Sequence, residues 1–143
     1  VCSVLNDQGI SYELYVDKEG KAFRKVIENT VYPGTGPVEV VALDVQSLDR
    51  TASILNESSV YRDHVSALYG IGSTTGILNL LDQGIIDGLV PYDQISQGII
   101  SIKTAVEAIH GCRQKQETLL DPVFLDQQEL ASGAYEKMLY PME

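Results

Sequence analysis

The sequence has no tryptophan, only two phenylalanines and only two cysteines, Cys2 and Cys112. Two cysteines make neither a disulfide framework nor a zinc motif, so both read as plain structural or surface residues. Basic residues are scarce. Ten Lys and Arg stand against 20 Asp and Glu, a net charge of -10, which argues against a nucleic-acid surface because phosphate binding needs clustered cations. An acidic surface of this kind serves solubility and says little about a ligand. No apolar run approaches the roughly 20 residues of a membrane span. The chain opens on VCSVLNDQG (Val1–Gly9), with no start Met and no basic leader. It reads as the end of a helix stopped by Gly9, so an N-terminal part is expected to precede it.

Signals of catalysis are also missing. There is no G-x-G-x-x-G and no Walker lysine. Gly70, Gly72 and Gly76 form G-I-G-S-T-T-G instead, with the wrong spacing for a dinucleotide loop. His64 and His110 are isolated, with no metal-ligand spacing around either. No G-x-S-x-G elbow exists. The expectation is a protein that binds without turnover and needs no cofactor or metal.

What is present is a chain of 143 residues, enough for one domain with a real core, in which apolar runs alternate with amphipathic stretches. ISYELYV (Ile10–Val16) alternates and reads as a strand. Ala22, Phe23, Val26, Ile27 and Thr30 recur at helical spacing between Lys21 and Val31, before Pro33, Gly34, Gly36 and Pro37 break the chain. VEVVALD (Val38–Asp44) suits a strand buried on both faces. Ser47 is the expected cap of a helix through about Asn56, with Leu48, Ala52 and Leu55 inward. SALYGIG (Ser66–Gly72) reads as the next strand, and Ser73, Thr74 and Thr75 as the cap of a helix that Gly84 ends. IIDGLV (Ile85–Val90) reads as a third buried strand. A long helix follows from Gln94 to His110, with Ile95, Ile99, Ile102, Val106 and Ile109 on one stripe and Gly111 as its stop. Val123–Leu125 suggests a last short strand, and Gln127–Leu139 a helical tail. Such alternation implies right-handed β-α-β units: an α/β domain with a parallel sheet and helices on both faces.

In such sheets ligands bind outside the carboxyl ends of the strands. Asp44 falls there and can accept two hydroxyl hydrogen bonds, or it can cap the next helix. The Gly72–Ser73–Thr74 turn can offer backbone N–H groups and hydroxyls at a helix start, or serve as a tight turn and cap. Tyr92 can stack on an apolar sugar face or donate its hydroxyl, or lie idle on the surface.

The stretch Leu68–Gly111 resembles the C-terminal part of type I periplasmic sugar-binding proteins, whose fold the LacI-type effector domains share. The matching pieces are the glycine-containing turn after a strand, then Gln83-Gly84, Ile86-Asp87-Gly88-Leu89-Val90, and Gln97-Gly98 opening a long helix. The unit Val38–Leu55 is similar to the strand and helix before it. The ending Leu139-Tyr140-Pro141 is similar to tails of solute-binding proteins in Gram-positive bacteria. The likeness covers 68–111 well and 10–143 loosely. It implies one lobe of a bilobed protein, with residues 1–143 as the C-terminal ligand-binding lobe. It implies a ligand site at Asp44, Gly72, Ser73, Thr74 and Tyr92. Gly72 stands where sugar binders of this family often have Asp, and Tyr92 where they often have an amide. Those two departures speak against a ribose- or galactose-like specificity.

The resemblance also implies a hinge near Pro91–Gln94 and a 94–111 helix that packs on the missing N-terminal lobe or on another chain. The implied function is capture of a small polar ligand, a sugar, for an ABC transporter permease or a sensor kinase. The location is then extracytoplasmic, periplasmic or as a cell-surface lipoprotein. The alternative is the effector-binding domain of a LacI-type repressor, cytoplasmic and dimeric. An enzyme on a doubly wound fold is a third class. A signal peptide with a lipid-anchor cysteine upstream of Val1 would favour the first reading, and a helix-turn-helix the second.

Overall fold

The computed structural model describes residues 1–16, 24–25, 36–113, 115 and 117–140. Its centre is a parallel sheet of three strands in the order β1-β2-β3: β1 (Val38–Ala42), β2 (Val65–Ile71) and β3 (Gly88–Val90). The helix α1 (Cys2–Asp7) precedes it. Between β1 and β2 lie α2 (Val45–Glu57) and the single turn α3 (Ser59–Arg62), and α4 (Thr75–Asp82) joins β2 to β3. After β3 come α5 (Gln94–Ile109), α6 (Gln127–Ser132) and α7 (Glu136–Leu139). The expected order of β-α-β units is therefore the observed one, with all three strands running the same way.

Strand alternation decides which side chains meet the helices. Val40 and Ala42, Leu68 and Gly70, and Leu89 share one face by register. That face packs on Leu48, Ala52 and Leu55 of α2 and on Ile77, Leu78 and Leu81 of α4, and these residues make the main core. Burial of each Leu or Ile side chain among them favours folding by about 1.5–3 kcal/mol before entropy is charged. α2 packs on β1 and β2, the turn α3 on β2, and Ile77, Leu78 and Leu81 of α4 join the same core cluster. The other face is more open: Val41 is 48% exposed, and Tyr69 stands beside Phe124 with ring centroids 6.3 Å apart.

A fourth segment closes the β3 edge. Leu125 bridges Leu89 in the antiparallel sense, with both N–H···O bonds at 2.8 Å. The chain thus leaves at Val90, makes the excursion that contains α5, and returns beside the strand it left. Val123–Leu125 is a single bridge rather than a strand. The tail Gln127–Leu139 is two short helices, interrupted at Gly133–Tyr135.

Three expectations need correction. Ile10–Val16 forms no strand: it has no ladder partner among the described residues, and all seven of its residues are exposed. Ile85 and Ile86 are buried core residues of the turn before β3, which begins only at Gly88. Ser47 does not cap α2. Asp44 does, accepting from the Ser47 N–H at 2.9 Å. The helix expected over 21–31 lies outside the described residues apart from 24–25.

Candidate functional site

The rim at the carboxyl ends of the strands is built by register. Ala42 pairs with Gly70, and Ile71 with Val90, so the three strands end side by side. The segments that leave them are Leu43–Asp44, Gly72–Thr74 and Pro91–Asp93. All five residues singled out from the sequence therefore stand on one edge, with the Gly72–Thr74 turn between Asp44 and Tyr92.

Asp44 is exposed, with both oxygens engaged by one residue. Oδ1 accepts from the Ser47 N–H at 2.9 Å and Oδ2 from the Ser47 hydroxyl at 2.6 Å. The Ser47 hydroxyl, then its N–H, hold the Asp44 carboxyl below the usual carboxylate range, with a smaller contribution from Arg50. Asp44 thus caps a helix at the same place where it can meet a ligand, so the two roles do not compete for position.

Gly72 is the tightest point of the rim. Its φ is +143°, and a Cβ there would sit 3.2 Å from both Ile77 Cδ1 and Val45 Cγ2. Its N–H donates to the Val90 carbonyl at 3.1 Å, tying the second strand end to the third. A side chain at this position is strained in any rotamer. Glycine at this position is therefore a property of the turn as built. Thr74 caps α4 through its hydroxyl, which accepts from the Ile77 N–H at 3.3 Å. Ser73 is half-buried between them.

Tyr92 is 42% exposed, so its ring is available to a ligand face. The sequence reading passed over its neighbour. Asp93 caps α5, accepting from the Ser96 N–H at 2.9 Å, and Ser96 likewise holds its carboxyl below the usual range. The signal was legible: Asp93-Gln-Ile-Ser96 has the same Asp-x-x-Ser spacing as Asp44-Val-Gln-Ser47.

Two cavities lie away from this rim. One, of about 280 Å³, opens between α4, α6 and α7 around Asn79, Asp82, Glu129 and Tyr135. The other, of about 260 Å³, lies at the starts of the strands around Arg62, Ser66 and Asp87. Among the described residues no cluster of His, Cys, Asp and Glu could hold a metal ion, and no helix is long and apolar enough to cross a membrane.

No protein-family model matches the chain, and no curated protein is similar to it at the level of sequence. Solved structures are similar in shape. A carbohydrate-transporter solute-binding protein from Agrobacterium radiobacter, in complex with D-arabinose, superposes with a TM-score of 0.73 at 20% identity. The match covers 87% of this chain and 42% of that one. An ABC-transporter periplasmic solute-binding protein from Actinobacillus succinogenes, with bound D-allose, gives a TM-score of 0.47 at 12% identity, over 91% of this chain and 66% of that one. This chain thus spans less than half the length of the first. Its three parallel strands, its α2 and α4 layer and its rim of strand ends are the fold of one lobe of a periplasmic-binding-protein-like protein.

Proposed function

We propose that this chain is the C-terminal lobe of an extracytoplasmic solute-binding protein that captures a small polar ligand, a sugar, between two lobes. The observation that carries the reading is the rim. Three parallel strand ends gather a charged carboxylate, a glycine turn with hydroxyls, and an exposed tyrosine on one edge, in a fold shared with a protein that binds D-arabinose. Each group suits a polyol. Asp44 accepts from two hydroxyls, Ser73 and Thr74 exchange hydrogen bonds with a ring substituent, and Tyr92 covers an apolar face of the ring.

The mechanism is closure about the crossover at Pro91–Gln94. A ligand that touches both lobes binds the closed form better and shifts the population toward it. The closed form then delivers the ligand to an ABC transporter permease or a sensor kinase, with no bond made or broken. α5 packs on the other lobe in this arrangement. None of its residues is buried here, and Ile99, Ile102 and Ile109 are 61, 69 and 82% exposed. A patch of that kind marks a contact surface.

The test is calorimetry of the intact protein against a panel of neutral aldopentoses and aldohexoses that includes D-arabinose. Binding of at least one sugar is expected. Asp44→Ala removes an acceptor of charge-assisted bonds and weakens that binding about 10- to 100-fold. A wild-type protein that binds no member of the panel, or an Asp44→Ala variant that binds as the wild type does, overturns the reading.

A further inference from the structure

A carboxylate that recognises hydroxyls contributes most when it is charged and already held in one orientation, because ordering it on binding costs free energy. Asp44 is exposed, and an exposed side chain of its length ordinarily samples several rotamers. Ser47 prevents this. Its backbone N–H binds Oδ1 and its hydroxyl binds Oδ2, so the carboxylate plane is fixed at two points.

The helix cap does not require the second point. Asp126 caps α6 with the Glu129 N–H alone, at 2.8 Å. Of the three helices that start at the rim, α2 and α5 have a capping Asp followed three residues later by a serine, α4 is capped by Thr74, and α6, which starts away from the rim, has Glu129 in the serine's place. Each carboxylate oxygen accepts along two lone-pair directions. Ser47 uses one on each oxygen, the Gln46 backbone N–H adds a weaker contact, and the exposed carboxylate keeps acceptor capacity toward solvent.

From this clasp we infer that Ser47 is a positioning residue for ligand binding: its hydroxyl locks the Asp44 carboxylate in one fixed plane, with its remaining acceptor capacity turned to the ligand. The inference rests on Asp44 being a ligand contact. A hydroxyl-donating ligand such as a sugar fits such a plane. Among the described residues, Arg50, on the same helix, is the charged side chain that acts on Asp44. The turns at the neighbouring strand end, Gly72–Thr74, carry no charge.

The sign of the pH effect follows. The folded-state pKa of Asp44 is lowered, so the charged, clasped form persists above that value and is lost as pH falls through it. Removing the hydroxyl moves the loss to higher pH.

The experiment uses Ser47→Ala, Ser47→Thr and Asp44→Ala in the intact protein. Ser47→Ala keeps the backbone N–H and hence the cap, and Ser47→Cys is a second variant of similar size should the alanine variant fold poorly. Carbon NMR of the Asp44 carboxyl reads its acid midpoint without a ligand, and calorimetry reads affinity for D-arabinose and the other sugars of the panel. Ser47→Ala is expected to raise the midpoint and weaken sugar binding about threefold to tenfold, with Ser47→Thr restoring both. An unmoved midpoint with wild-type affinity in Ser47→Ala, while Asp44→Ala loses binding, overturns the role of Ser47 and leaves the site standing. Wild-type affinity in both variants, or no sugar bound at all, overturns the site and the positioning role together.

Discussion

Asp87 performs the work of a strand residue before its strand has begun. Its N–H donates to the Leu68 carbonyl at 2.9 Å, and its Oδ2 accepts from the Leu68 N–H at 2.8 Å. Leu68 is fully buried in the second strand, and its N–H has this carboxylate as the partner on the β3 side. The I-D-G run thereby has a physical reading: Ile86 fills the core, Asp87 closes the ladder, and Gly88 starts β3. Asp87→Ala strands a buried donor and is expected to cost about 1–3 kcal/mol, measured by urea unfolding. Asp87→Asn keeps an acceptor and recovers most of that loss. Equal stability of the alanine variant and the wild type shows that water replaces the carboxylate. From the sequence Asp87 was visible only as part of a family-like run, because a side chain that stands in for a backbone acceptor leaves no periodic trace.

At the scale of elements, two glycines separate packing that can yield from packing that cannot. A Cβ on Gly70 would lie 2.6 Å from Leu48 Cδ1, and one on Gly88 would lie 2.3 Å from Phe124 Cζ. Leu48 is fully enclosed between α2 and the sheet, whereas Phe124 is 55% exposed and can swing away. Gly70→Ala is therefore expected to destabilise by about 1–3 kcal/mol and Gly88→Ala by less, although its contact is closer. Thermal unfolding of the pair checks the order, and the reverse order would mean that α2 shifts as a body. Legibility follows the same physics. α2, α4 and α5 were readable because their apolar period matches the face they bury or present, and β1 and β2 as short apolar runs, although β1 is buried on one face only and leaves Glu39 and Val41 exposed. Ile10–Val16 alternates as well as any of them, but alternation needs a neighbouring strand to become structure, and among the described residues none pairs with it. Asp44 and Ser47 are both good caps, and spacing alone could not decide which one starts the helix. At the candidate site, the residues at three strand ends were readable from the strands themselves. Asp93 was within reach as well, because its Asp-x-x-Ser spacing repeats that of Asp44, whereas the serine hydroxyl contacts arise only once the helices form.

At the scale of the molecule, α5 is the element whose environment differs most between this chain and a two-lobed protein. Ile102, at 69% exposure, predicts almost no cost for a polar replacement if the helix stays in water. Packing on a second lobe predicts about 1–3 kcal/mol for Ile102→Gln in the intact protein, read by thermal or urea unfolding. A variant as stable as the wild type shows α5 to be solvated and removes the lobe contact. One feature bears on this directly: the chain departs at Val90 and comes back against Leu89 through Leu125. The whole stretch between is moored at neighbouring points, like a handle riveted at both ends to the same plate. Force applied to α5 is therefore delivered to the middle of the lobe, next to Tyr92, and not to a loose end. A cut anywhere along the handle leaves both stumps anchored in the sheet. Pulling on the handle and filling the rim thus act on the same short strand.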